Sequence, residues 1–321
     1  MPAADVAAPP SGSPVLLVHG GAWDIPQAET AAHVEGMTQA LARGRDLLEG
    51  GASALETVVA VVAVLEDHPA FDAGRGAVLD RSGQAQLDAG VMCGATYRWG
   101  AVANVRRLAN PVRVAHRLLG DDGQARLLVG TGAEAFAAEV GFDLVDNETL
   151  IVARERSRFA QLRAEADFHT SQAFSGAAPR GTVGCVALDR AGRLAAATST
   201  GGAPFTRPGR VGDSPLVGSG FYATGEAAAS ATGWGEAIAS VLLCGRAVES
   251  VASGSRPEKA AQDGLDRMGR LVQGPGERGD DGPATGGLIV LDRAGRGGWA
   301  FTTPRMARGG WSDGSDLWVL L

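Results

Sequence analysis

Lysine is almost missing from this chain: of 29 basic residues only Lys259 is a lysine, and the other 28 are arginine. Most amine chemistry goes with it. A P-loop NTPase, a Schiff-base enzyme or a kinase would have to act through Lys259, which sits in Arg256-Pro-Glu-Lys259 with no glycine-rich loop ahead of it. Cysteine is scarce as well. Cys93, Cys185 and Cys244 are widely spaced, odd in number and without a C-x-x-C pair, so neither a disulfide framework nor a zinc site is expected. There is no long apolar run. The longest, Val58 to Leu65, is far too short to span a bilayer. The Ala/Pro-rich start lacks a basic segment followed by an apolar one, so no signal peptide is read there. A surplus of positive charge is missing too. The net charge of −7 argues against a nucleic-acid surface, which needs a basic face. A cytoplasmic protein that binds neither nucleic acid nor membrane is the expectation.

Glycine, by contrast, is abundant, with 47 in 321 residues and no G-X-Y period, which excludes collagen. At 45% hydrophobic residues the chain can bury one large core or two small ones. Residues 1–13 read as a disordered tail. Pro14 to His19 is a buried strand running into Gly20-Gly21. Helical spacing runs from about Gln27 to Glu49, and Ser53-Ala-Leu-Glu56 is a capping box opening a second helix through about Asp67. Ala77 to Asp80, Gln86 to Met92 and Arg126 to Gly130 read as strands, and Pro111 to Leu119 as a helix. Residues 154–181 form the best linker candidate. Directly after it, Thr182 to Asp189 and Leu194 to Thr200 read as a hairpin. Helices at about 235–252 and 257–272 and a second hairpin, Gly286 to Asp292 with Gly298 to Thr302, follow. This succession suggests a layered α+β fold.

Two familiar motif matches fail on context. Gly310-Trp-Ser312-Asp-Gly314 has the form of a serine nucleophile elbow, but the acid and histidine that should follow are missing; the last histidine is His169. Gly218-Ser-Gly220-Phe-Tyr-Ala223 has the form of a dinucleotide loop, yet Pro215 precedes it and no helix pattern follows. No two of His19, His33, His68, His116 and His169 stand at helical ligand spacing.

Threonine chemistry remains. A threonine hydroxyl needs an adjacent base, and an N-terminal threonine carries one, its α-amino group, with a pKa of about 7.7–8.0. Gly181-Thr182, at the end of an irregular segment and the start of a buried strand, is placed for a chain break that would expose such a terminus. Arg210-Val-Gly-Asp213 offers a guanidinium and a carboxylate suited to the carboxylate and amine of an amino acid. Thr232-Gly-Trp-Gly-Glu236 reads as a helix entry able to donate to an oxyanion. Each segment also has an ordinary reading, as a strand start, a loop ion pair and a helix cap.

Taken in order, these segments resemble the plant-type L-asparaginase/isoaspartyl peptidase family of N-terminal nucleophile hydrolases. His19-Gly-Gly-Ala-Trp23, Phe71-Asp-Ala-Gly-Arg-Gly-Ala-Val-Leu79, Gly100-Ala-Val-Ala103, Asn110-Pro-Val-Arg-Val-Ala115, Gly181-Thr-Val-Gly184, Ser199-Thr-Gly-Gly202, Arg210-Val-Gly-Asp-Ser-Pro215, Thr232-Gly-Trp-Gly-Glu236 and Thr303-Pro-Arg-Met-Ala-Arg-Gly309 carry the likeness. The resemblance implies a four-layer αββα sandwich, made as a zymogen that cuts itself between Gly181 and Thr182. Residues 14–181 would become the α subunit and 182–321 the β subunit of one folded domain. A homodimer of processed αβ units, formally a heterotetramer, is the implied assembly. Thr182 would be the nucleophile, with Thr200 hydrogen-bonded beside it and Thr232 and Gly233 as the oxyanion hole. Arg210 would hold the substrate α-carboxylate and Asp213 its α-amino group, with Gly235 and Asp72 also lining the pocket. The implied substrates are L-asparagine and β-aspartyl dipeptides, cleaved through a β-aspartyl-enzyme. No organic cofactor is implied. A structural sodium ion is, held by backbone carbonyls of Leu65, Glu66, His68, Phe71, Ala73 and Arg75.

Two residues depart from the family pattern: Asp72 stands where asparagine is usual, and Cys93 where aspartate is. A carboxylate at position 72 would raise the pKa of a nearby α-amino group, and a shifted pH optimum or an altered substrate choice is expected from it. Two alternatives stay open, a glycosylasparaginase-like amidase and an unprocessed, non-catalytic scaffold.

Overall fold

The structure is a computed structural model and describes residues 4–6, 12–121, 125–165, 181–273 and 282–321. The first half contains β1 (Ala4–Val6), β2 (Val15–Trp23), α1 (Thr30–Glu49), α2 (Ala54–Asp67), β3 (Leu87–Cys93), β4 (Trp99–Val105), α3 (Pro111–Leu119), β5 (Leu127–Val129), α4 (Gly130–Glu139) and α5 (Ala153–Ala164). The second half contains β6 (Val183–Leu188), β7 (Leu194–Thr200), β8 (Phe221–Ala223), β9 (Ala227–Gly233), α6 (Gly235–Val241), α7 (Leu243–Ala252), α8 (Pro257–Leu271), β10 (Gly286–Asp292), β11 (Gly297–Phe301), β12 (Arg305–Ser312) and β13 (Trp318–Leu320).

The strands form two sheets. One has eight strands in the order β13-β12-β2-β6-β7-β3-β4-β5, and the other has five in the order β1-β11-β10-β9-β8. Among the described residues β4–β5 is the one parallel pair of strands, apart from a single parallel bridge between Val217 and Phe221. Alternation along each strand sorts side chains into separate cores. On β2, Leu16 and Val18 join the core under α1 and α2, while Val15 and Leu17 point between the sheets. On β6, Cys185 and Ala187 take the helix side, and Val186 and Leu188 the inter-sheet side. On β10, Leu288 and Val290 pack under α7 and α8, whereas Ile289 and Leu291 face the larger sheet. Helix, sheet, sheet and helix thus stack as an αββα sandwich, the α+β class expected. The two subunits proposed from the sequence share it, since β2 from the first pairs with β6 and β12 from the second.

Local chemistry explains the elements. The Ser53 hydroxyl accepts from Glu56 N–H at 3.2 Å, and Ser53 N–H donates to Glu56 Oε2 at 3.0 Å, completing the capping box of α2. The two hairpins share Leu-Asp-Arg-Ala-Gly-Arg. In each, the aspartate Oδ1 accepts from backbone N–H groups two and four residues on, at 2.8–3.0 Å, and Oδ2 accepts from the second arginine. Gly192 and Gly295 supply the left-handed turn residue, with φ of 73° and 78°.

Several expectations need correcting. Ala4–Val6, within the expected disordered tail, is a strand paired with β11; the rest of residues 1–11 lies outside the described residues. The linker of 154–181 begins as helix α5, which the buried Glu155 anchors by accepting from Arg154 at 2.7 Å and Arg158 at 2.5 Å. Residues 166–180 lie outside the described residues. The helix expected over 235–252 is two, because Leu242 is left-handed at φ 53° and Arg246 Nε satisfies the freed Val241 carbonyl at 2.9 Å. The dinucleotide-like match ends in β8, an antiparallel strand, and the elbow-like match lies at the end of β12. Among the described residues no helix is long and apolar enough to cross a membrane.

Candidate active site

The inter-sheet core turns polar at one end. The same alternation that sends Val186 and Leu188 inward also sends Thr182 and Gly184 inward. It adds Thr198 and Thr200 from β7, His19 from β2, Asp88 from β3, and Ser230 and Thr232 from β9. All of these side chains are buried. Gly184 is obligatory here: a Cβ would lie 2.1 Å from Ser230 Oγ and 2.3 Å from His19 Nε2, two atoms that are hydrogen-bonded to each other at 2.9 Å. Burial pushes the His19 pKa down to about 3, so its ring is neutral.

Thr182 lies one step beyond the Val183–Ser199 pair, opposite Thr200. Its hydroxyl donates to Thr200 Oγ1 at 3.0 Å, and Thr200 Oγ1 also accepts from Gly202 N–H at 2.9 Å. Gly202 links this pair to Arg210, since a Cβ there would stand 3.5 Å from Arg210 Nη1. Asp72 closes the other side. Its backbone carbonyl accepts from Gly201 N–H at 3.0 Å, and a Cβ on Gly181 would lie 3.1 Å from Asp72 N. Thr182, Thr200, Gly181 and Asp72 therefore form one cluster, reached from Arg210 through Gly202.

Asp72 Oδ1 accepts from Val78 N–H at 2.9 Å, while Oδ2 has no hydrogen-bond partner among the described residues. Burial pushes its pKa up to about 7, with Glu155 adding to the rise and Arg158 and backbone N–H groups opposing it. Burial likewise raises Asp213 to about 7, against the pull of Arg210. Arg210 binds Glu236 through two parallel bonds, Nε to Oε1 at 2.9 Å and Nη2 to Oε2 at 2.7 Å. Burial works against the Arg210 charge, but Glu236, Asp88 and Asp213 outweigh it and hold its pKa above the ordinary value. Gly235 sits between the charges: a Cβ would be 2.8 Å from both Arg210 Nη2 and Asp213 Oδ1.

Thr232 and Gly233 end β9. Thr232 Oγ1 is buried without a partner among the described residues, which leaves a hydroxyl free to donate. Gly233 has φ 134° and packs so tightly on Gly286 that a Cβ would lie 2.4 Å from its Cα. The carbonyl set proposed for sodium occupies the end of α2 and the turn after it. There the Glu66 carbonyl accepts from Arg75 N–H at 2.7 Å and the His68 carbonyl from Phe71 N–H at 3.3 Å. Cys93 pairs with Ala195, five positions along β7 from Thr200, or about 17 Å at strand spacing. Its departure from the family pattern does not touch this cluster.

Sequence reading missed two acidic residues. Asp88 has Oδ1 bonded to Asn104 N–H at 2.7 Å, because Asn104 is a bulge residue at φ 52°. Burial lifts Asp88 to about 6. A lone charge inside the apolar run Leu87 to Met92 was its signal. Glu236 read only as an acidic residue in the first turn of a helix, and no local pattern pairs it with Arg210, 26 positions away.

The family model described as asparaginase matches residues 12–320. The isoaspartyl peptidase/L-asparaginase of Danio rerio is 39% identical over 295 residues, spanning 92% of this chain and 91% of its own. That of Bos taurus is 38% identical over 304 residues, spanning 94% of each. The isoaspartyl peptidase of Escherichia coli K12 is 36% identical over 319 residues, spanning 95% of this chain and 94% of its own.

Proposed function

The chain belongs to the asparaginase family, and from that premise we propose a self-processing threonine hydrolase that cleaves the side-chain amide of L-asparagine and β-aspartyl (isoaspartyl) dipeptides. One observation carries the reading: the Thr182 and Thr200 hydroxyls meet at 3.0 Å, at the Gly181–Thr182 bond itself.

In self-cleavage, Thr182 Oγ1 attacks the Gly181 carbonyl carbon and the C–N bond breaks as the nitrogen takes a proton. The resulting ester is hydrolysed by water, which leaves a Gly181 carboxylate and a free α-amine on Thr182. That amine is the base the lysine-poor sequence otherwise lacks. In turnover it takes the Thr182 hydroxyl proton while Oγ1 attacks the substrate β-carbonyl carbon. Thr232 Oγ1 and Gly233 N–H would donate to the oxyanion. The leaving amine departs with the proton, and water hydrolyses the β-aspartyl ester to aspartate. Arg210 would hold the substrate α-carboxylate, and Asp213 its α-ammonium.

The carbonyls of Leu65, Glu66, His68, Phe71, Ala73 and Arg75 would hold a sodium ion that braces the loop carrying Asp72. A cytoplasmic homodimer of processed units completes the proposal.

The test compares purified protein on β-Asp-Leu, α-Asp-Leu and L-asparagine. Release of leucine from the β isomer and of ammonia from asparagine is expected, with the α isomer untouched. Equal cleavage of both isomers, or of neither β-Asp-Leu nor asparagine, would overturn the reading.

A further inference from the structure

Arg210 does not pair with the carboxylate nearest to it in sequence. Asp213 is three residues away and buried, and its Oδ2 has no hydrogen-bond partner among the described residues. The Arg210 fork instead goes to Glu236 on α6, through Nε and Nη2. A guanidinium has five N–H donors. Glu236 takes the Nε/Nη2 edge and leaves the Nη1/Nη2 edge free of it. Three glycines crowd that guanidinium. A Cβ would stand 2.7 Å from Nη1 at Gly212, 2.8 Å from Nη2 at Gly235 and 3.5 Å from Nη1 at Gly202. Glycine at these positions keeps space beside the guanidinium that side chains would fill. The Arg210 side chain is only 16% exposed, so without Glu236 it would be a poorly hydrated cation seeking another carboxylate. Besides Glu236, the buried carboxylates of Asp88 and Asp213 act on Arg210. Asp88 Oδ1 is already held by Asn104 N–H, whereas Asp213 keeps an oxygen without a partner among the described residues, and its Oδ1 lies 2.8 Å from where a Cβ of Gly235 would stand.

We propose that Glu236 is a positioning residue that holds Arg210 apart from Asp213, keeping the two charges separate so that a zwitterionic α-amino-acid head group can bridge them. Arg210 and Asp213 would otherwise neutralise each other and offer the substrate neither a cation nor an anion. This inference rests on the proposed substrate reading for its kinetics, but its geometry can be tested without it.

The variant is Glu236→Ala, with Glu236→Gln as the conservative control that keeps one acceptor oxygen. For β-Asp-Leu, Glu236→Ala should raise KM roughly 10- to 100-fold, the range for one lost charge-assisted hydrogen bond, with kcat within about threefold. Glu236→Gln should recover much of that loss. A crystal structure of Glu236→Ala should show the Arg210 guanidinium hydrogen-bonded to Asp213. A fall in kcat at unchanged KM, or an Arg210 that stays in place or turns to Asp88 in the variant crystal, overturns the proposal. If the wild type hydrolyses no β-aspartyl peptide, the substrate reading fails, while the variant crystal still decides the positioning role.

Discussion

Replacing Asp72 by asparagine should make this protein more stable at alkaline pH and leave it nearly unchanged in acid. The Asp72 pKa rises from the ordinary 3.8 to about 7, chiefly because burial penalises the charged form. A raised carboxyl favours the folded state fully below its unfolded pKa and loses that contribution as pH climbs through the folded pKa. Between pH 3.8 and 7 the shift corresponds to about 4 kcal/mol, at about 1.4 kcal/mol per unit. Local relaxation and water entry would cut this, so roughly 2–4 kcal/mol is the expected cost of ionised Asp72 near pH 9. Asparagine keeps the acceptor for Val78 N–H and carries no charge, so it removes the pH-dependent part alone. The assay is urea unfolding near pH 5 and near pH 9, both proteins carrying Thr182→Ala so that each stays in one piece. The unfolded carboxyl is already ionised near pH 5, so about 60% of that cost falls between the two conditions, and the stability gain of Asp72→Asn should be at least about 1 kcal/mol larger near pH 9 than near pH 5. Parallel pH dependences for the two proteins would refute the reasoning, since Asp72 would then titrate alike when folded and unfolded.

Activity should respond to the same change if the proposed self-cleavage frees the Thr182 α-amine, because an ionised Asp72 beside it would raise the pKa of that amine. Asp72→Asn should move the acidic limb of the pH–rate profile down by up to about one unit, and an unmoved limb counts against a charge effect there. Thr200→Val removes the acceptor for the Thr182 hydroxyl at nearly constant volume and should slow both self-cleavage and turnover by about 10- to 100-fold, read from gel time courses and initial rates. An unchanged cleavage rate would remove Thr200 from the mechanism. Gly184→Ala forces a methyl into the His19–Ser230 hydrogen bond and should cost about 2–4 kcal/mol in urea unfolding. A cost under about 0.5 kcal/mol would mean that the two sheets can part there.

Much of the fold could be read in the sequence because local rules and burial agree. Ser53 and Glu56 announce α2, and the Leu-Asp-Arg-Ala-Gly-Arg turns mark both hairpins. The break at Leu242 could not be read, because an exposed leucine carries no sign of a left-handed backbone, and the arginine that repairs the break follows only later. Strand β1 was hidden for a related reason: three residues of an Ala/Pro-rich segment show no periodicity, and β11 selects them by main-chain pairing. The candidate site divides the same way. Thr182, Thr200, Arg210 and Asp213 stand in short motifs that name themselves. Asp88 and Glu236 matter through folding alone, one placed by a bulge in the neighbouring strand and the other brought from a distant helix to Arg210.

The most direct test of the threonine mechanism is the N-terminal sequence and mass of the fragments that the purified chain forms on standing. Two fragments are expected, one ending at Gly181 and the other beginning Thr182-Val-Gly-Cys, while Thr182→Ala stays a single 32.7 kDa chain. A wild-type chain that remains whole yet hydrolyses β-Asp-Leu, or a Thr182→Ala chain that still splits at this bond, would contradict it.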